Sequence, residues 1–237
     1  MIVKHEAIVI SSIKYGDNAR IVKCYTKESG IKSFIVKGVY SKKNKTNPMF
    51  VQLNKLELIF DDKTKSELFP LNNCRQLNHY LSLNTNQHKT AIVIFIAEIL
   101  NSVLKEEEAN PAMYDFISQS VNFFDEKQTA YADFHLWFLL NLSSYLGFYP
   151  NLEPDTSYFD LTNGVSSNEL PSGVYTDGEK LELLKELYKP NFFEQQQNRY
   201  TREQRNSLLE LLLRYYELHH SNFKWPKSLE VLNMVFG

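Results

Sequence analysis

Near residue 80 the hydrophobic pattern of this chain changes its period from two to about 3.6, and no single element can hold both. Ahead of that point Ala7–Ile10, Ala19–Tyr25, Ile31–Val39, Phe50–Phe60 and Glu67–Leu71 are short runs rich in Ile, Val and Phe. The turn formers Gly16-Asp17-Asn18, Ser29-Gly30, Asn47-Pro48 and Asp61-Asp62 separate them. Leu56-Glu57-Leu58 alternates as a half-buried antiparallel strand does. Five short strands in about 75 residues predict a small barrel or sandwich. The OB-fold has this strand number, and other small β folds share it.

Beyond the change the spacing is helical, and no glycine occurs from Val39 through Leu146. Thr90–Leu104 is apolar nearly all round at first and then at Ile96, Ile99, Leu100, Val103 and Leu104, which predicts a buried helix. Asn110-Pro111 opens a second helix, with Asn as N-cap and Pro in the first helical position. A third is expected over Tyr131–Leu146, with Phe134, Trp137, Phe138 and Leu142 inward and Gly147 as its stop. Residues 148–178, punctuated by Pro150, Pro154, Gly164, Pro171, Gly173 and Gly178, read as an irregular segment. Helices follow at Glu179–Tyr188, from the capping box Thr201-Arg202-Glu203-Gln204 to His219, and at Ser228–Phe236. The fold class is therefore α+β, with a β unit over residues 1–78 and a helical unit over 79–237.

The 237 residues are 43% hydrophobic, enough for a core that needs no disulfide or metal staple. Two cysteines, Cys24 and Cys74, exclude a disulfide scaffold and a cysteine-built zinc site, and they read as small buried hydrophobes in a cytoplasmic protein. The N-terminal residues lack the apolar region of a signal peptide, and the apolar run Ala91–Ala97 is too short for a membrane span of about 20 residues. The sequence has no phosphate-binding glycine loop, no G-x-S-x-G elbow and no H-E-x-x-H. His219-His220 are adjacent and point about 100° apart on a helix, a poor spacing for a shared metal. Asp61-Asp62 reads as a turn. No enzyme activity, cofactor or metal is expected.

Charge divides the chain. Residues 1–80 carry 14 basic against 7 acidic side chains, a net +7, and the remainder carries 12 against 21, a net −9. No acid occurs between Glu28 and Glu57, a stretch that holds Lys32, Lys37, Lys42, Lys43, Lys45 and Lys55. Such a run can neutralise phosphates and make binding depend on salt. Lys42, Lys43 and Lys45 fall in a polar loop flanked by Tyr40 and Phe50, either of which can stack on a base or pack in the core. The bland alternative is a loop that only solubilises the chain.

Three segments together resemble the RecO family of bacterial recombination mediators. They are Glu6–Asp17 continuing through Ile21–Gly30 and Phe34–Val39, then Tyr145-Leu-Gly-Phe-Tyr-Pro-Asn-Leu152, then Lys227-Ser-Leu-Glu-Val-Leu232. The resemblance implies an N-terminal OB-fold and a helical C-terminal domain. It implies binding of single- and double-stranded DNA, annealing of complementary strands, and loading of recombinase onto strands coated by single-strand-binding protein, with RecR as a further partner. It also implies a cytoplasmic, nucleoid-associated protein with no membrane contact. Phosphate contacts are then expected from Lys14, Arg20, Lys32, Lys37, Lys42, Lys43 and Lys45, with Tyr40 as a stacking candidate. Arg202 and Arg205, three apart on one helix face, are the candidates for gripping an acidic partner tail. Many family members carry a four-cysteine zinc site after the Pro-x-Leu; here Asp155 and Tyr158 stand at the first Cys-x-x-Cys and no cysteine follows, so zinc is not expected. The alternatives are a non-catalytic protein-interaction adaptor and an RNA-binding OB module.

Overall fold

The computed structural model describes residues 1–39, 47–63, 66–104, 108–189 and 198–236. The chain forms two compact units, Met1–Glu126 with Pro226–Ser228 and Lys127–Trp225 with Leu229–Gly237. Strands give way to helices near residue 80 as expected, while the compact units divide at 126/127, so the first two helices group with the barrel.

Five strands close the barrel: β1 (Ile2–Tyr15), β2 (Ala19–Thr26), β3 (Gly30–Lys37), β4 (Lys55–Asp61) and β5 (Leu68–Gln76), in the order β1-β2-β3-β5-β4. All pairings are antiparallel except β3 with β5. This is the OB-fold. The alternating positions Ala7, Val9, Val22, Cys24, Phe34, Val36, Leu56, Leu58 and Phe60 fill its interior. Phe34, Phe60 and Phe69 pack with centroids 5.0–6.0 Å apart, in the edge and tilted geometries aromatic quadrupoles favour. Two expectations need correction. The strand read as Phe50–Phe60 begins only at Lys55, because Asn47–Phe50 is a 3-10 turn that drives Phe50 into the core. Phe50 is therefore not a stacking surface. The first strand is also longer than Ala7–Ile10, extending through Tyr15.

Helix α1 (Gln87–Val103) lies against β1 and is capped by Asn86, whose side chain accepts from the amides of His88 and Lys89. Helix α2 (Pro111–Glu126) starts where Asn110-Pro111 predicts, with Asn110 Oδ1 accepting from Met113 N at 3.0 Å. Lys89 is buried among them. Its ammonium donates to Ser82 Oγ (2.6 Å), Phe124 O (2.7 Å) and Asp125 O (3.0 Å) at the C-terminal end of α2. A cation there also meets the negative end of the helix dipole.

The second unit contains α3 (Phe134–Tyr145), α4 (Gly178–Tyr188), α5 (Arg202–His219) and α6 (Leu229–Val235). The Thr201–Gln204 capping box opens α5 as expected. Helix α3 is buried on nearly every side, so the single inward face assigned to it is too narrow; Trp137 is only half-buried, while His135, Leu136, Leu139 and Leu140 join Phe134 and Phe138 inside. The segment read as irregular contains a sheet in the order β7-β6-β8: β6 (Tyr158–Asp160), β7 (Val165–Ser167) and β8 (Tyr175–Asp177). Asp160 shapes the β6–β7 turn by accepting from Thr162 N, Asn163 N and Asn163 Nδ2 at 2.7–3.1 Å. Gly164 completes the turn at φ +70, where a Cβ would sit 2.6 Å from the Tyr215 hydroxyl oxygen. Phe159 anchors the sheet by packing inward on Tyr215.

Candidate nucleic-acid interface

The barrel unit neutralises its charges on one side. Lys4 Nζ and Arg75 NH2 both reach Glu57 Oε2, at 2.8 and 3.1 Å, and these hydrogen bonds hold that carboxyl below the usual carboxylate range. Lys55 pairs with Glu6 at 3.0 Å, and the N-terminal ammonium with Asp61. The outer side of β2 in its second half is engaged by helices. Lys23 Nζ donates to Asn101 Oδ1 (2.9 Å), Tyr25 OH to Asn110 O (3.3 Å) and Lys27 Nζ to Asp115 Oδ1 (2.7 Å).

The opposite end of the β1–β3 sheet holds Lys14, Arg20 and Lys37. In the strand register Lys14 faces Arg20, and Arg20 faces Val36; one residue along, Tyr15 faces Ala19, and Ala19 faces Lys37. Successive side chains on a strand point to opposite sides, so Lys14 and Arg20 line one side and Tyr15 and Lys37 the other. Lys14 and Lys37 are exposed and Arg20 is half-buried. Lys37 makes no ion pair with any described residue. Ile13 and Tyr15 stand 59% and 52% exposed on a shared side of β1, a strip of apolar and aromatic surface on the same side of the sheet as Lys37. Strands lie about 4.8 Å apart, so Tyr15 and Lys37, two strands apart, are roughly 10 Å from each other, close enough for one nucleotide chain to meet both.

The register thus sets Lys14 beside Arg20 on one side of this sheet end and Lys37 in line with Tyr15 on the other. Lys32 lies elsewhere. It faces Cys24, four positions along β2 from Arg20, and its ammonium lies 3.7 Å from Asp62 Oδ1 and 4.6 Å from the centre of the Phe69 ring. That lysine closes the far end of the barrel. Tyr40, Lys42, Lys43 and Lys45 lie outside the described residues. Tyr15 was missed in the sequence because it precedes a turn. Its signal was there, in a strand alternation that continues past the last core residue of β1.

Arg205 requires a correction. It does not form an exposed pair with Arg202: it is buried, with Nε donating to Asp133 Oδ1 (2.8 Å) and NH2 to Tyr200 O (3.0 Å), while Arg202 is exposed. Asp133 Oδ2 accepts in addition from Arg199 N at 2.8 Å. A buried guanidinium needs such a partner, because desolvation costs several kcal/mol per ion.

Among the described residues no three His, Cys, Asp or Glu side chains are arranged to hold a metal ion. Where the family places its first cysteines, Asn168 does the bridging: Oδ1 accepts from Ser157 N and Oγ, and Nδ2 donates to Asp155 O. The residues present do not fit a zinc site. Nor is any helix among the described residues long and apolar enough to cross a membrane.

An OB-fold with a cationic, aromatic-edged end, continued by a helical unit, defines the class. The family model described as Recombination protein O N terminal matches residues 1–80, and that described as Recombination protein O C terminal matches residues 85–230. The chain belongs to the RecO family of DNA repair proteins. It is 37% identical over 240 residues to the DNA repair protein RecO of Christiangramia forsetii and 36% identical over 240 residues to that of Flavobacterium psychrophilum, with 100% of each chain covered in both cases. The RecO of Porphyromonas gingivalis is 26% identical over 245 residues, again with full coverage. Among solved structures, an Entamoeba histolytica asparaginyl-tRNA synthetase overlaps 67% of this chain and 35% of its own at 9% identity, with a TM-score of 0.29, too slight a likeness to bear on fold or function.

Proposed function

We propose that the barrel binds single- and double-stranded DNA at the end of β1–β3 that carries Lys14, Arg20 and Lys37, and that the chain anneals complementary strands and helps load recombinase onto strands coated by single-strand-binding protein, with RecR as a partner. The observation that carries the DNA reading is the register of this sheet end, which sets Lys37 in line with exposed Tyr15 on one side and Lys14 beside Arg20 on the other. Three cations at one sheet end neutralise phosphates, and neutralisation lowers the repulsion between two approaching strands. Tyr15 offers a face on which an unpaired base can stack, an interaction tolerant of base identity. No covalent step is involved, so binding and presentation of strands account for the activity. Annealing, recombinase loading and the two protein partners come from family membership. The domain assignment proposed is a DNA-binding OB unit over 1–78 and a partner-binding helical unit over 79–237, in a cytoplasmic, nucleoid-associated protein. The test mixes complementary strands coated with single-strand-binding protein, with and without this chain. Accelerated duplex formation is expected, and none at any protein concentration would sink the annealing reading.

A further inference from the structure

The parallel ladder between β3 and β5 is short: it pairs Ser33–Ile35 with Leu68–Pro70 and ends there. Both strands continue, β3 to Lys37 and β5 to Gln76, with β5 bonded only to β4 beyond Pro70. Pro70 has no amide to donate, which helps end the ladder. The two strands part around a cleft of about 270 Å³ lined by Ile35, Val36, Lys37 and Pro70–Cys74. Its size is near the lower bound of pockets that hold small organic ligands, roughly 300–1,000 Å³.

The chemistry of the cleft is graded. Val36 is part of the barrel core, and Leu71 and Cys74 pack against it, giving an apolar floor. Asn72 and Asn73 are exposed at the rim. Asn73 Oδ1 accepts from Cys74 N at 2.8 Å, which leaves its amino group turned to other partners. A carboxamide offers donors and an acceptor together, the complement of a base edge. Lys37 stands at the same rim and also belongs to the cationic end of β1–β3. A second groove, in the helical unit, is lined by Asp177, Glu179 and Glu210 against Lys180 and an Arg214 already paired with Glu217, a charge balance that repels a polyanion.

We propose that the cleft at the β3/β5 seam receives one unpaired base of a DNA strand whose phosphate is held by Lys37. The proposal rests on the DNA-binding reading above and adds a strand-state preference to it. A paired base is held in the duplex stack and must be extruded before it can enter such a pocket, at a cost of a few kcal/mol. The cleft therefore favours single strands, which a protein that anneals must hold with bases accessible.

Cys74 makes the test possible in the unaltered chain. Cys24 is fully buried, so Cys74 is the thiol within reach of a reagent. Burial pushes its pKa above the usual thiol value, so N-ethylmaleimide labelling is run at mildly alkaline pH and read by mass spectrometry. Oligothymidylate or a blunt duplex is added at about ten times its own Kd, with occupancy followed by fluorescence anisotropy in the same samples. Single strand is expected to slow Cys74 labelling about tenfold, the factor for a thiol accessible only when ligand is off, and duplex to leave it unchanged. Saturated single-strand binding with an unchanged labelling rate would overturn the cleft while leaving DNA binding intact. Equal protection by duplex would overturn the unpaired-base claim. No anisotropy change with either DNA would overturn the DNA-binding reading on which the cleft depends. As a second arm, Asn72→Ala should weaken single-strand binding about fivefold or more and leave duplex binding unchanged, since one good base contact contributes about 1–3 kcal/mol of discrimination. Equal effects on both forms, or none, would remove Asn72 from the site.

Discussion

In the helical unit Arg205 lies on Asp133, Arg199 on Glu186 and Arg214 on Glu217, and Lys185 and Lys189 meet Glu182 and Glu186. In the barrel unit comparable pairs crowd the β1–β4–β5 side, while Lys37, at the other end of β3, makes no ion pair with a described residue. The two units also fill their cores differently. The barrel interior is apolar and aromatic, with Lys89 buried on neutral oxygens beneath its helices, whereas the helical unit buries an ion pair and the imidazole of His135. A buried charge without a partner is so costly that pairing follows from folding alone. A cluster of like charges at a surface lowers the stability of the free protein through self-repulsion, and an anionic ligand relieves it. The pairs inside the helical unit thus serve its fold, and Lys37, with no ion pair among the described residues, is the cation proposed above to meet a DNA phosphate.

The sharpest way to break this contrast is Asp133→Ala. It leaves the buried Arg205 without its carboxylate, and loss of one partner of a buried pair costs about 3–5 kcal/mol. Both tryptophans, Trp137 and Trp225, lie in the helical unit, so urea unfolding followed by tryptophan fluorescence reads this unit. An unshifted midpoint would show that the pair is not structural. The same cluster sets a pH response. Burial, with Arg205 nearby, pushes the pKa of His135 from its ordinary value of about 6.5 down to about 3. Between those values the unfolded chain takes up a proton that the folded unit refuses, so stability falls as pH drops from about 6.5 toward 3. His135→Leu should flatten that slope in the tryptophan signal.

Lys89→Ala is expected to cost the barrel unit about 2–4 kcal/mol, because Ser82 Oγ and the carbonyls of Phe124 and Asp125 lose a buried donor. Amide hydrogen exchange over α1 and α2 checks it. Protection unchanged across both helices would show that water replaces the ammonium.

The sequence made the elements with local causes legible. Asn110-Pro111, the Thr201 capping box and the alternation of β4 each act within four residues, and each stands where the pattern put it. The β6–β8 sheet was not legible: its strands are three residues long, too short for a period, and they depend on the Asp160 turn and on Phe159 packing against Tyr215. Arg205 looked like a surface arginine because its partner lies 72 residues earlier in the chain. The charge asymmetry pointed to the barrel, but sequence neighbours are not register neighbours. Lys32 and Lys37 sit five apart on β3 and occupy different ends of the sheet.

That separation predicts opposite outcomes for two similar changes. Lys37→Glu should lower single-strand affinity at low salt about tenfold and reduce the slope of log affinity against log salt by about one, with stability moving by less than about 0.5 kcal/mol. Lys32→Glu should leave the salt slope unchanged and lower stability, since it places a carboxylate beside Asp62 and removes the cation over Phe69. Salt titrations of both variants decide it. Equal losses of affinity would merge the two lysines into one site and dissolve the division drawn here.

The smallest effect expected is at Arg202, and it separates that residue from Arg205. Both lie in the first turn of α5, three apart, yet Arg202 is exposed and Arg205 is buried on Asp133. An exposed arginine near a helix N-terminus adds little and slightly opposes the dipole, so Arg202→Ala should change stability by less than about 0.5 kcal/mol. Arg205→Ala leaves Asp133 with only the Arg199 amide and should cost several times as much, about 3–5 kcal/mol. If an acidic tail peptide of single-strand-binding protein docks on this helix, Arg202→Ala weakens it in calorimetry while the fold stays intact, and any loss at Arg205 tracks unfolding. Tail affinity unchanged in Arg202→Ala would move the tail site off the start of α5. A large loss of stability in that variant would show that Arg202, like Arg205, works for the fold.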